Sequence, residues 1–171
     1  MSERILIIDD ERGLREGCKR VLVPEGYLVE SAESGEEGWS LVQAVPYDLL
    51  LIDVKMPGMS GLELLSRVAG LDPDIVCIIV TGYATLETAV EATKLGAFDF
   101  LRKPFTPDEL LNLVRKGLEK RRLSLEARRL REEREQSLLA LATEQSRLRT
   151  VINAMGDGVL VVNREGVLVL Y

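Results

Sequence analysis

The sequence of 171 residues contains no histidine. This absence excludes Ser-His-Asp and Cys-His catalytic arrangements within the chain, and it excludes zinc sites with histidine ligands. The two cysteines, Cys18 and Cys77, are too few for a zinc site made of thiolates alone. They form no C-x-x-C motif and no signal peptide precedes them, so we expect reduced thiols in a cytoplasmic protein. Acid and transfer chemistry must therefore use carboxylates, hydroxyls and lysines.

Long apolar runs are also missing. No run approaches the roughly 18 residues that a membrane-spanning helix needs, so we expect no membrane partner. Charge divides the chain instead. Residues 1–105 contain 18 acidic and 10 basic side chains (net −8), and residues 106–171 contain 10 and 12 (net +2), which together give the 28 acidic and 22 basic residues of the whole. The difference predicts two kinds of structure.

In the first part, short apolar runs alternate with amphipathic stretches. Continuous apolar runs such as residues 5–8 are typical of strands buried on both faces of a sheet. The pattern predicts strands over 5–8, 27–32, 48–53, 75–80 and 97–101, with helices over about 14–22, 35–44, 62–68 and 86–95. This alternation indicates an α/β fold, a doubly wound five-stranded parallel sheet. Ligands of such sheets bind beyond the carboxyl ends of the strands.

Polar residues follow or end four of the five predicted strands. They are Asp9 and Asp10, Asp53, Thr81, and Lys103 followed by Pro104. Three carboxylates at one edge repel one another unless a cation joins them, and oxygen ligands alone favour Mg²⁺. A carboxylate beside a metal, a hydroxyl and an ammonium can act as a nucleophile toward a phosphoryl group. The sequence therefore predicts phosphoryl transfer onto Asp53.

Each of these residues also has a structural interpretation. Asp9 and Asp10 could cap the next helix, Thr81 could fill a strand, and Lys103 could be a solvated charge. Their joint occurrence at strand ends, in this order, favours the functional interpretation.

The second part begins with a capping box, in which Thr106 is the N-cap, Pro107 the first helical residue and Glu109 the third. No further proline occurs before Met155, so we expect one long helix. Its a and d heptad positions are apolar at Leu123, Ala127, Leu130, Leu141, Leu148, Val151 and Met155, and polar at Arg134, Ser137 and Glu144. The pattern favours a dimeric coiled coil, a parallel or antiparallel pair of helices with a polar middle. A single solvated helix and a kinked helical hairpin are the alternatives.

Four motifs carry a resemblance to a known family. They are IIDDE at 7–11, DVKMPGMSG at 53–61, TGYA at 81–84 and GAFDFLRKPF at 96–105. Over about residues 3–118 the sequence resembles the receiver domains of two-component response regulators, most closely those of the nitrogen-regulatory type. The resemblance implies a flavodoxin-like sheet of order 2-1-3-4-5. It also implies a phosphoacceptor domain rather than an enzyme, with a histidine kinase or phosphotransfer protein as its partner.

The resemblance also assigns roles to residues. It makes Asp53 the phosphoacceptor, and it implies Mg²⁺ bound by Asp10, Asp53 and the backbone carbonyl of Lys55, with Asp9 acting through water. It implies that Lys103 contacts the phosphoryl group and precedes a cis peptide bond to Pro104.

Conformational switching is implied for two further residues. By the resemblance, Thr81 moves toward the phosphoryl group and Phe100 rotates inward; ordinary core packing is the alternative for Phe100. Lys55 and Tyr83 occupy the two positions that influence hydrolysis in the family. Because both are bulky, we expect them to screen the phosphoryl group from water and prolong its lifetime.

The end of the chain resembles the start of a PAS sensor domain over residues 151–166, and a plain strand hairpin is the alternative. We therefore expect a receiver domain at 1–118, a helical coiled-coil linker at 119–150 and the start of a truncated PAS-like domain at 151–171. This organisation predicts a homodimer that relays phosphorylation through the helix to an output module.

Two other functions compete with this switch. Mg²⁺-dependent aspartyl-phosphate phosphohydrolases usually need a second Asp two residues after the nucleophile, where this chain has Lys55. A DNA-binding transcriptional regulator would require an output module, and the chain contains no G-x-x-x-x-G-K-[ST] loop. Basic residues at 120–134 are interleaved with glutamates, so a solvated helix is favoured over nucleic-acid binding.

Overall fold

The computed structural model describes residues 2–82, 86–154, 161–162 and 168–170. The chain divides into two compact units, Met1–Leu125 and Glu126–Tyr171. The strands are β1 (Arg4–Ile8), β2 (Leu28–Ala32), β3 (Leu49–Asp53), β4 (Val76–Thr81), β5 (Asp99–Arg102), β6 (Val161–Val162) and β7 (Leu168–Leu170). The α-helices are α1 (Arg12–Leu22), α2 (Gly35–Ala44), α3 (Gly61–Leu71), α4 (Leu86–Lys94) and α5 (Pro107–Ala154).

The first unit is built around a parallel sheet of order β2-β1-β3-β4-β5. The predicted α/β class and strand order are confirmed. The prediction for the fifth strand began two residues too early, because the backbone at Gly96 and Ala97 still closes α4. Gly96 adopts a positive φ of 97°, and the Ala97 amide donates to the Ala92 carbonyl at 2.9 Å.

The sheet is covered on both faces, as the continuous apolar strands predict. Alternate residues of one strand point to opposite faces. In β1, Ile5 and Ile7 belong to the core cluster shared with α1 and α5, whereas Leu6 and Ile8 belong to the cluster shared with α2, α3 and α4. Both clusters contain fully buried side chains of β3 and β4. Burial on both sides fixes the positions of the strand ends.

Helix α5 begins with the predicted capping box. The Glu109 amide donates to Thr106 Oγ1 at 3.2 Å, and the Thr106 amide donates to Glu109 Oε2 at 2.7 Å. One helix then extends from Pro107 to Ala154, so the kinked hairpin is wrong. Met155, the last of the predicted a and d heptad positions, lies outside the described residues.

A group of polar contacts, here called the α5 anchor, holds the helix to the amino-terminal edge of the sheet. Arg121 Nε donates to Asp48 Oδ1 at 2.9 Å, and Arg121 Nη1 lies 3.4 Å from Asp72 Oδ2. Ser124 Oγ donates to Asp74 Oδ1 at 2.7 Å. Arg121 is only 11% exposed, so its charge is paired in a largely dry environment.

In the second unit, every residue of α5 from Glu126 to Thr150 is exposed. Strands β6 and β7 form an antiparallel pair within residues 151–171, the stretch expected to begin a PAS-like domain. The remaining residues of the PAS-like stretch lie outside the described residues. Within the described parts of the chain, no helix combines the length and apolar character needed to span a membrane.

Candidate functional site

Three carboxylates and one ammonium meet at the carboxyl edge of the sheet. Carboxylate oxygens of Asp9, Asp10 and Asp53 all lie within 4.8 Å of one another. Lys103 follows β5, and its Nζ donates to Asp9 Oδ2 at 2.6 Å and to Asp53 Oδ2 at 3.1 Å. The four residues are separated by up to 94 positions in the chain. Parallel strands place their carboxyl ends on one edge of the sheet, and this brings the four residues together as predicted.

Burial and charge act in opposite directions on this group. Burial raises the pKa of Asp53 above its ordinary value, and the hydrogen bond from Lys103 offsets part of that rise. Burial lowers the pKa of Lys103, but its hydrogen bonds to Asp9 and Asp53, together with the negative charges of these two residues, raise it more, so the net shift is upward. Lys103 therefore remains an ammonium at neutral pH. A buried carboxylate with increased basicity is a better nucleophile than a solvated one.

The donor set of the site fits a divalent cation. Three carboxylates against one ammonium leave two negative charges uncompensated among these four side chains. All three donors are hard oxygen ligands, with two of them buried and Asp10 exposed toward solvent. Such a set suits Mg²⁺, which keeps several waters and needs few protein ligands. Asp9 already accepts from the Glu11 amide through Oδ1 and from Lys103 through Oδ2, which fits a contact to the metal through water.

The capping interpretation of Asp9 and Asp10 does not hold, because the N-cap of α1 is Glu11. Sequence reasoning missed Arg15, whose Nη1 donates to the backbone carbonyls of Asp9 at 2.7 Å and Asp10 at 3.1 Å. This guanidinium fixes the loop that carries both carboxylates. Arg15 follows these two residues by six and five positions, and a lone arginine in α1 gives no sequence signal of that role.

The loop after Asp53 is held by residues that sequence reasoning also missed. Glu36 in α2 accepts from the Met59 amide at 2.8 Å. Hydrogen bonds from its own backbone amide and from that of Met59 lower the pKa of Glu36 below its usual range. Gly58 adopts a φ of +77°, which favours glycine. A Cβ on Gly61 would lie 2.0 Å from the Asp53 carbonyl oxygen, so only glycine lets α3 start this close to β3.

The remaining predicted residues lie around this centre. Thr81 is fully buried at the end of β4, where its carbonyl accepts from the Lys103 amide at 3.0 Å. The Lys103–Pro104 peptide bond is cis, the configuration that the resemblance implies. Phe100 in β5 is partly buried against the core cluster of α2, α3 and α4. The Lys55 amide lies 3.5 Å from Asp53 Oδ1, whereas Tyr83 lies outside the described residues.

Comparisons with curated proteins identify relatives of known type. Sporulation initiation phosphotransferase F of Bacillus subtilis is 40% identical over 118 residues, which are 69% of this chain and 95% of that protein. The C4-dicarboxylate transport transcriptional regulatory protein DctD of Rhizobium meliloti is 36% identical over 158 residues. That match covers 90% of this chain and 34% of DctD, so the chain spans about a third of the length of this relative.

Solved structures show the same fold. A CheY-like response regulator receiver domain protein from Methanospirillum hungatei superposes with a TM-score of 0.71 at 36% identity, covering 72% of this chain and 99% of that one. NtrX from Brucella abortus gives a TM-score of 0.72 at 30% identity, covering 77% of this chain and 30% of NtrX. The family model for the response regulator receiver domain matches residues 5–115. The chain therefore belongs to the response regulator receiver domain family.

Proposed function

We propose that Asp53 accepts a phosphoryl group from a histidine kinase or phosphotransfer protein, and that the chain signals by this modification. The observation that carries the proposal is the Lys103 ammonium, which bridges Asp9 and Asp53 beside a cluster of three carboxylates. A group that neutralises carboxylates at rest can also neutralise the oxygens of an incoming phosphoryl group. Roles of the individual residues form part of this proposal.

The transfer needs one bond to form and one to break. An Asp53 carboxylate oxygen attacks phosphorus, and the bond from phosphorus to the imidazole nitrogen of the donor breaks. The chain contains no histidine, so this donor belongs to another molecule or to a segment outside this sequence. Lys103 Nζ donates to one phosphoryl oxygen in place of its bond to Asp53, and the Thr81 hydroxyl donates to another. The product is an acyl phosphate on Asp53.

Asp10, Asp53 and the Lys55 carbonyl would hold Mg²⁺, with Asp9 reaching it through water. The ion supplies charge that offsets repulsion between the carboxylates and the phosphoryl oxygens. The protein residues orient these groups. Arg15 fixes the Asp9–Asp10 loop, and Glu36 fixes the loop that follows Asp53.

Thr81 and Phe100 form the proposed switch. Thr81 pairs in the sheet with Arg102, and Phe100 lies on the same strand two residues earlier. Movement of the Thr81 hydroxyl toward the phosphoryl group leaves space that Phe100 fills by rotating inward. The change reaches the surface through β5 and the first turns of α5.

The rest of the chain is the proposed relay. A receiver domain at 1–118 continues into a coiled-coil linker at 119–150 that pairs with a second copy of the chain, and residues 151–171 begin a PAS-like domain. Six leucines between 123 and 148 are more than half exposed, which supports a helix that needs a partner. The cytoplasmic location stays a prediction from the cysteines, which are both free.

A second candidate output is transcriptional regulation. The similarity to DctD extends over 158 residues, so it continues past the receiver domain into the region of the long helix. DctD is a transcriptional regulatory protein, and a related output would follow the helix in place of a PAS-like domain. Binding of the chain itself to duplex DNA at low salt would support contact through the helix; we expect none.

Beryllofluoride tests the proposed acceptor, because it mimics a phosphoryl group on a carboxylate. We expect the chain to bind beryllofluoride only when Mg²⁺ is present, measured by calorimetry. Asp53→Asn should abolish binding, and Glu63→Gln, an exposed carboxylate on α3, is the matched control. Binding that survives in Asp53→Asn would overturn the site.

The lifetime of the phosphorylated form is a separate part of the proposal. Lys55 is exposed beside Asp53, in the position predicted to screen the phosphoryl group. We expect loss of label from the wild-type chain to be slower than from a Lys55→Ala, Tyr83→Ala variant. Equal rates would remove the screening role while leaving Asp53 as the acceptor.

A further inference from the structure

The exposed helix allows two different interaction seams, and they diverge after Arg134. The a and d positions predicted above, here called the heptad seam, continue through Ser137, Leu141, Glu144 and Leu148. A shifted seam moves by one residue after Arg134 and continues through Leu138, Leu141, Gln145 and Leu148. Both seams share Leu123, Ala127, Leu130, Arg134, Leu141 and Leu148. All of these residues are exposed in the structure.

Apolar content favours the shifted seam. It replaces Ser137 by Leu138, whose side chain is 56% exposed. It also replaces Glu144 by Gln145, an uncharged residue. In a parallel pair of helices, the heptad seam would bury two Glu144 carboxylates against each other, and like charges in a dry interface are strongly unfavourable.

Helix geometry allows the shift without a break. The shifted seam joins Leu130 to Leu141 and Arg134 to Gln145 by steps of 11 residues. At 3.6 residues per turn, such a step returns to the same face within about 20°. An insertion of four residues into a heptad pattern, called a stutter, locally unwinds a coiled coil and is a known way to keep two helices in contact. The helix here passes through residues 130–141 as regular α-helix.

Charges beside the shifted seam are complementary between two copies. Positions e and g flank a coiled-coil seam, and a g residue faces the e residue five positions later on a parallel partner. Before the shift, Glu126 is at g and Arg131 at e. After the shift, Glu144 is at g and Arg149 at e. The same Glu-to-Arg spacing therefore occurs on both sides, and the heptad seam loses the second pair.

From these observations we infer that residues 123–149 pair with a second copy of this chain, parallel and in register, through the shifted seam with a stutter at Arg134. The inference rests on the proposed dimer and specifies its contact residues. It places Glu144 beside Arg149 of the partner subunit rather than inside the interface. Arg134 stays in the seam, where a polar residue can fix the register of two helices.

Cysteine crosslinking of the full chain distinguishes the two seams. Gln145→Cys and Glu144→Cys are the decisive pair, and Leu148→Cys is the common position. The native Cys18 and Cys77 are buried, so they do not compete. We expect oxidation to crosslink Leu148→Cys and Gln145→Cys several-fold faster than Glu144→Cys. Charge reversal adds a second readout: Glu144→Arg alone should weaken the dimer several-fold, and Arg149→Glu in the same chain should restore it.

The crosslinking results test the shifted seam and the dimer separately. Fast crosslinking at 144 and 148 with slow crosslinking at 145 would establish the heptad seam and overturn the shifted one, while the dimer stands. No crosslinking at any of the three positions, with a monomer by sedimentation, would overturn the dimer and the shifted seam together. Leu138→Ser should weaken the dimer more than Leu139→Ser, since Leu139 lies on neither seam.

Discussion

Leucines of the two units differ in their exposure to solvent. In the first unit Leu51 is 1% exposed in the middle of the sheet, and in the second unit Leu139 is 69% exposed on a helix. The strands of the first unit are buried between two core clusters, and this packing explains where Asp53 is placed. Side chains of α5 from Glu126 to Thr150 are exposed to solvent, which supports the proposed pairing with a second copy of the chain. The receiver site follows from packing, whereas the helix must be understood from its pattern of residues.

Thiol reactivity gives the largest expected contrast between the units. Burial raises the pKa of Cys77 to about 12. At pH 8 its thiolate fraction is then about a thousandfold below that of a free cysteine with a pKa of about 8.5. We expect a thiol reagent to label Gln136→Cys on the exposed helix at least that much faster than Cys77. Below the raised pKa, each added pH unit should speed labelling of Cys77 about tenfold, and fast labelling at pH 8 would contradict the burial.

Truncating one leucine in each unit separates core from surface. Leu51→Ala removes a fully buried side chain of β3 and should cost about 2–5 kcal/mol of unfolding free energy. Leu139→Ala should change it by less than about 0.5 kcal/mol. Urea denaturation of the full chain measures both. Equal effects would mean that Leu139 is covered in solution.

Gly61→Ala tests how closely α3 must approach the acceptor strand. The new methyl group would lie 2.0 Å from the Asp53 carbonyl oxygen, so the backbone must shift. We expect a loss of about 1–3 kcal/mol and weaker beryllofluoride binding. Gly70→Ala is the matched control, because nothing lies within 4 Å of its new methyl and helix propensity should raise stability by up to about 1 kcal/mol. A Gly61→Ala protein with normal stability and binding would refute the close approach.

Arg121→Met tests the α5 anchor. Methionine has a side chain of similar length but no charge, so the variant removes the cation that pairs with Asp48 and Asp72. We expect the free energy of unfolding to fall by about 1–2 kcal/mol. Arg129→Met removes an exposed charge that pairs with Glu133 at 3.6 Å, and it should cost less than about 0.5 kcal/mol. Hydrogen exchange should also show faster exchange of α5 amides around Arg121 in the first variant. Equal stability of the two variants would mean that the α5 anchor does not stabilise the protein.

Much of the fold and of the carboxylate cluster could be predicted from the sequence. Strands buried on both faces are recognisable as apolar runs, and parallel strands place their carboxyl ends on one edge, so Asp9, Asp53 and Lys103 could be brought together without coordinates. The prediction of the start of β5 was wrong at Ala97. This residue still belongs to the turn that ends α4, and its apolar side chain does not distinguish that turn from a strand.

The supporting residues could not be predicted. Arg15, Glu36 and Gly61 act through the conformations of loops, and loop conformation depends on contacts between segments distant in the sequence. For the exposed helix the limit is different. Heptad spacing alone admits Glu144 to the seam, whereas the electrostatic cost of burying it and the gain of Leu138 favour the shifted seam through Gln145.

The most direct test of the account is the position of the phosphoryl group. Wild-type chain is incubated with acetyl phosphate and Mg²⁺, and the acyl phosphate is trapped by borohydride reduction and located by peptide mass spectrometry. We predict one modified residue, Asp53, no modification when Mg²⁺ is removed by chelation, and none in Asp53→Asn. Modification of another carboxylate in the wild-type chain, or undiminished incorporation in Asp53→Asn, would contradict the account.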